Sequence, residues 1–322
     1  MFLGFSFFAS IIPMILYMLI LWFMDKYERE PLLFVIVHFL WGAFGAVIFG
    51  ILGNVFIIKS ISFFTCLPLS SLPDKLISSL IAAPISEEIS KAIFLLFSVN
   101  SKKFDNITDG IVYGGAIGLG FGMTENFIYF LTYGTTLDLL VALIILRSLS
   151  SAIMHCISTA TFGAVLGFTK FLTNYKKIIF IVNGILISIF IHFTWNLSVS
   201  SSDTFLYGFI FMIILIIFFM ILFNYSLRKE KVLITNELLE ESQLNIIPAE
   251  HVNIFASKSR FQNNLINEKI RKKYFRTAVA LAFNKMHMKN SKGAKRIYYE
   301  NEIENKRRLI KELLNNNNSK LI

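Results

Sequence analysis

The chain has 322 residues, of which 55% are hydrophobic and 16% charged, with 34 phenylalanines. That composition excludes a disordered chain, and it carries too little charge to cover an ordinary soluble globule. The net charge of +10 by itself admits either a nucleic-acid or an anionic-lipid partner, and two cysteines make no disulfide scaffold.

In chain order, seven apolar stretches are each long enough to cross a hydrocarbon core of about 30 Å at about 1.5 Å per residue. They are Phe2–Phe23, Leu32–Ile58, Leu76–Val99, Gly110–Thr132, Leu139–Phe168, Ile178–Val199 and Phe205–Asn224. The second and fifth exceed what a crossing needs, which predicts tilt or an interfacial segment. The first reads as a span and not a signal peptide. It is too long, no Lys or Arg precedes it, and no small-x-small cleavage site follows. Loops on one side carry seven Lys and Arg against two on the other. The positive-inside rule then places the N-terminus outside and the C-terminus in the cytoplasm, for a multi-pass protein of the inner (cytoplasmic) membrane. The expected fold is all-α and polytopic, with residues 1–224 as the membrane domain and 225–322 as a basic cytoplasmic tail.

Residues 1–224 carry 11 basic and 11 acidic groups, whereas the tail carries 20 and 10. The whole excess therefore lies in the tail, which argues against nucleic acid and leaves anionic lipid as the neighbour. Two tail stretches have helical apolar spacing. One holds Phe261, Leu265, Ile270 and Tyr274 among basic residues, and the other Ile303, Ile310, Leu313 and Leu314. Such helices can lie on an anionic leaflet. The plainer reading is a solvated, partly helical tail.

Ionisable groups inside spans are expensive and point to function. The third stretch holds Glu87, Glu88 and Lys91, the fourth Glu125, the fifth Arg147 and His155, and the sixth His192 with Asn196. Glu87 and Lys91 are i,i+4, as are His192 and Asn196. Arg147, Ser151, His155, Thr159 and Gly163 form an i,i+4 stripe, and Gly114, Gly118 and Gly122 form a small-residue stripe for close helix packing. Glu87 falls ~16 Å below the outer edge of its span, and Glu125 and His192 each ~10 Å below theirs. These depths allow the groups to converge in the outer half of the bilayer. Other polar residues read as structural. His38 packs or snorkels, Cys156 points away from His155, Cys66 stands alone in a loop, and Trp22 and Trp195 suit an interfacial belt.

Two adjacent carboxylates in a low-dielectric site do not both ionise cheaply. One ionised and one protonated can serve as general base and acid. A His and an Asn one turn apart can donate to an oxyanion.

These motifs resemble the PrsW family of bacterial intramembrane proteases, which cleave membrane-anchored anti-sigma factors and share a superfamily with the CAAX prenyl endopeptidases. The likeness runs from Asp25, Tyr27, Glu28, Glu30 and Pro31 through Glu87, Glu88 and Lys91. It continues over Asp109–Asn126 and ends with Arg147, His155, His192 and Asn196. The resemblance covers roughly residues 1–200, and four separate motifs stand in the expected order. It implies Glu87 as the water-activating base and Glu88 as its partner. It also implies His192 and Asn196 at the oxyanion end, with His155 as a further site residue. Glu125 stands where the wider superfamily has a His, so no His role is transferred to it. Lys91 and Arg147 read as supporting residues. The implied reaction is metal-independent hydrolysis of a membrane-anchored protein near the extracytoplasmic face, with no cofactor. Two alternatives remain open. Glu87, Glu88, Glu125, His155 and His192 are all potential Zn²⁺ ligands, although no HExxH occurs. The same cluster would also serve a proton-coupled transporter or sensor.

Overall fold

The computed structural model describes residues 2–65, 77–172, 175–255 and 268–318. Cys66, Phe261 and Leu265, singled out above, lie outside them. Every regular element among the described residues is helical. Five helices are long and apolar enough to cross a membrane, namely Leu3–Met24, Leu32–Thr65, Leu137–Thr169, Tyr175–Val199 and Phe205–Gln243. The third and fourth stretches read from the sequence also form helices; they hold Glu87, Glu88, Lys91 and Glu125, and the fourth carries six glycines.

The chain divides into two units. The first comprises residues 1–25 and 30–223, and the second residues 26–29 and 224–322. In the first unit, α1 (Leu3–Met24) is followed by α2 (Leu32–Leu40), a π-helical turn (Trp41–Ala46) and α3 (Val47–Thr65). A second π turn (Ser78–Ala82) leads into α4 (Ala83–Ser98), then α5 (Ile107–Tyr133). The continuous fifth stretch expected from the sequence is instead two helices, α6 (Leu137–Leu149) and α7 (Ser151–Thr169), broken at Ser150. The run Ser148, Ser150, Ser151 explains the break. The Ser150 hydroxyl donates to the Leu146 carbonyl at 2.6 Å, a local bond that competes with the helix ladder. Arg147 thus belongs to a different helix from His155, although its guanidinium still reaches the Ser151 hydroxyl at 3.3 Å. Two further helices follow, α8 (Tyr175–Val199) and α9 (Phe205–Gln243).

Helix α5 is the centre of this unit, with every residue from Thr108 to Gly122 buried. Asn106 and Asp109 close a reciprocal capping box at its start. The glycine stripe packs against α7. A Cβ at Gly110, Gly114 or Gly118 would lie 2.0–2.4 Å from the carbonyl oxygens of Gly163, Thr159 and His155. The opposite face is as close, since a Cβ at Gly120 would lie 1.9 Å from the Phe39 oxygen. Lipid-facing positions of α1, such as Phe5, Phe8, Ile12 and Phe23, are exposed and apolar. His38 packs as expected, bonded to the Ser98 hydroxyl at 2.8 Å and stacked on Tyr113. Trp195 does not join an interfacial belt. It is buried with Ile191, Met154 and Leu215. Asp25 and Glu30 are buried, and Glu30 accepts hydrogen bonds from the Tyr113 hydroxyl and, through its carbonyl, from the Trp22 indole at 2.7 Å.

The second unit holds the polar half of α9, α10 (Ala249–Phe255), α11 (Glu268–Lys289) and α12 (Gly293–Asn318). Ile234, Leu238, Phe255, Tyr274, Phe283 and Ile310 belong to a contiguous apolar core there, and Tyr27 packs against it. The solvated tail expected from the sequence is therefore a folded helical unit. The apolar spacings at Tyr274, Ile303 and Ile310 face its own interior instead of a leaflet. Charge ties the helices together. Glu241 accepts two bonds of 2.8 Å from Arg307 and sits 2.8 Å from the Lys285 ammonium. Burial alone would raise the Glu241 carboxyl, but Arg307 and Lys285 outweigh it and hold the group below its usual range. A carboxylate lowered by folding contributes stability above its unfolded pKa of about 4.3 and loses it as the pH falls through the folded value. Acid titration of the full chain, followed by helical ellipticity, is expected to show a loss of stability below about pH 4.3 that Glu241→Gln flattens. An unchanged acid slope in that variant would remove Glu241 from the account.

Candidate active site

Pro84 stands at the start of helix α4, where the Ser78–Ala82 π turn gives way to the α-helix. Glu88 and Lys91 then point inward, while Glu87 turns toward α3. A Cβ at Gly50 would lie 3.4 Å from the Glu87 Cγ, so the glycine leaves that carboxylate its room. Glu87 lines a groove of about 320 Å³ with Gly50, Asn54, Ser78, Phe121 and Glu125.

Five helices, α4 to α8, converge here. The Lys91 ammonium is fully buried and lies 2.8 Å from Glu88 Oε1, 2.9 Å from His155 Nδ1 and 3.9 Å from Glu87 Oε2. It also sits 3.9 Å above the Phe121 ring. Glu88 Oε2 accepts from the Ser188 hydroxyl at 2.7 Å, and Glu88 Oε1 lies 3.0 Å from His192 Nδ1. Glu125 Oε2 lies 2.7 Å from His155 Nε2 and 2.9 Å from Arg147 Nη2. The Arg147 Nε in turn donates to Asn126 Oδ1 at 2.9 Å. An ordered chain therefore runs Arg147, Glu125, His155, Lys91, Glu88, His192.

The partners fix the tautomers. A carboxylate only accepts and an ammonium only donates. Neutral His155 must then accept at Nδ1 and donate from Nε2, which leaves neither nitrogen free. Neutral His192 must donate from Nδ1 to Glu88, which leaves its Nε2 lone pair unspent. That nitrogen lies 3.8 Å from Glu87 Oε2, an oxygen buried without a hydrogen-bond partner. The two carboxylates thus differ sharply. Glu88 is saturated by three donors, while Glu87 keeps a free oxygen at the groove.

Of the residues expected from the sequence, Glu87, Glu88, Lys91, Glu125, Arg147, His155 and His192 come together. Asn196 stands apart, with its amide donating to the Ser79 carbonyl at 2.8 Å. Cys156 lies against Gly115, away from the cluster. Sequence reading missed Ser188 and Asn126. Ser188 was accessible from spacing, because 188, 192 and 196 share one helical stripe.

The donor chemistry also suits a divalent metal. Glu87, His155 and His192 each offer one ligand atom, all within 4.8 Å of one another, and Glu87 Oε2 is the orphaned member. His192, with Nδ1 given to a carboxylate, has the outer-sphere support of a metal-ligating imidazole. His155 would first have to release Lys91 or Glu125.

A carboxylate lining a groove with a buried imidazole 3.8 Å behind it, inside a helical multi-pass membrane protein, has the layout of an intramembrane hydrolase. Residues 30–223 match the family described as PrsW family intramembrane metalloprotease, and the chain belongs to that family. It is similar to Protease PrsW of Clostridioides difficile (strain 630), 30% identical over 188 residues that cover 58% of this chain and 75% of that one. It is also similar to Protease PrsW of Bacillus subtilis (strain 168), 24% identical over 229 residues covering 69% and 93%. No solved structure matches it. The protein is therefore a membrane peptidase with a protein substrate, which decides against the transporter reading. The match begins at Glu30, so Asp25, Tyr27 and Glu28 lie before it, and the second unit lies wholly outside it.

Proposed function

We propose that the chain hydrolyses a peptide bond of a membrane-anchored protein, such as an anti-sigma factor, near the extracytoplasmic face of the inner membrane, with Glu87 activating the water. The observation that carries this is the pair of unspent acceptors, Glu87 Oε2 and His192 Nε2, 3.8 Å apart beside the groove. A water donating to both is oriented for attack on a carbonyl carbon in the groove. Glu87 takes one proton as the C–O bond forms. Glu87 then passes that proton to the amide nitrogen as the C–N bond breaks. Glu88 holds the His192 tautomer. The Arg147–Glu125–His155–Lys91 chain holds Glu88 by keeping Lys91 in place. Asn196 stands apart from the carboxylate cluster, but its bond to the Ser79 carbonyl holds it next to groove-lining Ser78, and its second amide N–H is assigned to the oxyanion. Asn196→Ala is expected to lower kcat about a hundredfold with little change in KM. A KM effect alone would reduce Asn196 to a pin between α8 and the Ser78–Ala82 turn.

Packing also supports an even number of crossings between Arg29 and Asn224. Tyr27 joins the core formed by residues beyond Asn224, so both ends of that stretch leave from one side. Six apolar stretches lie between them, in keeping with seven spans and a cytoplasmic second unit.

A second reading is metal-assisted. Glu87, His192 and His155 would hold the ion, which would acidify bound water and polarise the carbonyl. The buried Lys91 ammonium, 2.9 Å from His155, opposes a further dication there. Chelator treatment of the purified protein is therefore expected to leave activity intact. Full loss that Zn²⁺ restores would establish the metal reading. Membrane-fraction proteomics comparing wild type with Glu87→Ala tests the function itself. Uncleaved membrane-anchored proteins should accumulate in the variant, and an unchanged membrane proteome would refute the assignment.

A further inference from the structure

A cavity in the second unit is unused by the catalytic reading. It has a volume of about 610 Å³ and is walled by Lys26–Arg29 and by one face of α11. Five cationic side chains line it, Lys26, Arg29, Arg271, Lys272 and Arg276, against one carboxylate, Glu28. Arg271 is already paired with Glu268 at 2.8 Å, whereas Lys26, Lys272 and Arg276 are solvent-exposed. Phe275, Val279 and Ala280 give the cavity an apolar wall, and Tyr27 and Phe275 continue into the core of the unit. A cationic rim over an apolar wall suits a ligand with an anionic head and an apolar body. The position along the chain says which one. Lys26 follows Met24, the last residue of α1, by two positions, and α1 ends with Phe23 exposed. A rim joined so closely to an apolar helix end sits at headgroup depth.

We propose that this pocket binds the phosphodiester headgroup of an anionic phospholipid, with Lys26, Lys272 and Arg276 contacting the phosphate. Guanidinium and ammonium groups are the usual phosphate partners, and cytoplasmic leaflets are anionic. The proposal explains why the Lys26–Arg29 segment, distant in sequence from every catalytic residue, folds with the basic unit. It does not depend on the catalytic reading.

The test uses the full chain in neutral detergent with a fluorescent phosphatidylglycerol as probe. Unlabelled phosphatidylglycerol is expected to displace it, while phosphatidylcholine and inorganic phosphate at equal concentration do not. The triple variant Lys26→Gln, Lys272→Gln, Arg276→Gln should lose ten- to a hundredfold in affinity, about 1.4–2.8 kcal/mol in all. A control triple at exposed sites elsewhere in the unit, Lys231→Gln, Lys292→Gln, Lys295→Gln, should stay within about twofold. Unchanged affinity in the pocket triple would overturn the site. Equal losses in both triples would mean diffuse charge, and equal displacement by inorganic phosphate would mean a soluble anion. Each result refutes the lipid pocket. Should the pocket triple lose its helical signal, the single exposed change Lys272→Glu is read by the same criteria.

Discussion

Glu87→Gln is expected to lower kcat about a thousandfold, with KM and melting temperature little changed. The amide keeps the shape of the side chain but cannot take a proton from water. No hydrogen bond to Glu87 Oε2 is lost, because that oxygen has none. Glu88→Gln is expected to behave oppositely. Glu88 is the 2.8 Å counter-ion of a fully buried Lys91 and the acceptor for Ser188 and His192. Removing its charge leaves a buried ammonium without its nearest partner, at a cost of about 3–5 kcal/mol. The pair of variants, read by turnover and by thermal unfolding in detergent, separates the two carboxylates. Full turnover in Glu87→Gln, or its loss only in a normally stable Glu88→Gln, would reverse the roles.

Gly118→Ala carries the second large effect, on folding. Two contributions oppose each other. Alanine exceeds glycine in helix propensity by about 1 kcal/mol, which favours the variant. The new methyl, however, would lie 2.1 Å from the His155 carbonyl oxygen and 2.5 Å from its carbon. Backbone cannot rotate away as a side-chain tip can, so α5 and α7 must separate, at a cost of about 3 kcal/mol. Packing wins, and a net loss of about 2 kcal/mol follows. Turnover should fall as well, since the displaced residue is His155. Gly4→Ala is the contrast, because nothing lies within 4 Å of its Cβ on lipid-facing α1. A Gly118→Ala melting temperature equal to that of Gly4→Ala would show that α5 and α7 are not locked by this contact.

Much of the site was legible because helices have a fixed period. The i,i+4 and i,i+3 spacings of Glu87, Glu88 and Lys91 place them within a turn of one another, and the cost of charge in hydrocarbon makes them conspicuous. The glycine stripe announced a close packing face. Spacing could not say that the stripe meets α7, nor that Gly120 meets Phe39 on the other side. The break at Ser150 was equally hidden, because a serine hydroxyl either bonds its own backbone or lies idle in a continuous helix. The tail misled for a related reason. A helix with apolar residues at Tyr274, Ile303 and Ile310 has the same pattern whether its stripe meets lipid or another helix, and only the partner helices settle that.

Composition and periodicity by themselves determined an all-helical membrane protein with a few costly polar groups in its interior, because the bilayer leaves a chain so few ways to satisfy its backbone. Tertiary structure alone decided which of two adjacent carboxylates is free. Glu87 and Glu88 are chemically identical neighbours, and their difference lies in what faces them. Lys91, Ser188 and His192 saturate one, while Gly50 leaves open space before the other. Those partners come from helices up to about a hundred residues apart, as with the Ser188–Glu88 bond. No local pattern encodes such a meeting.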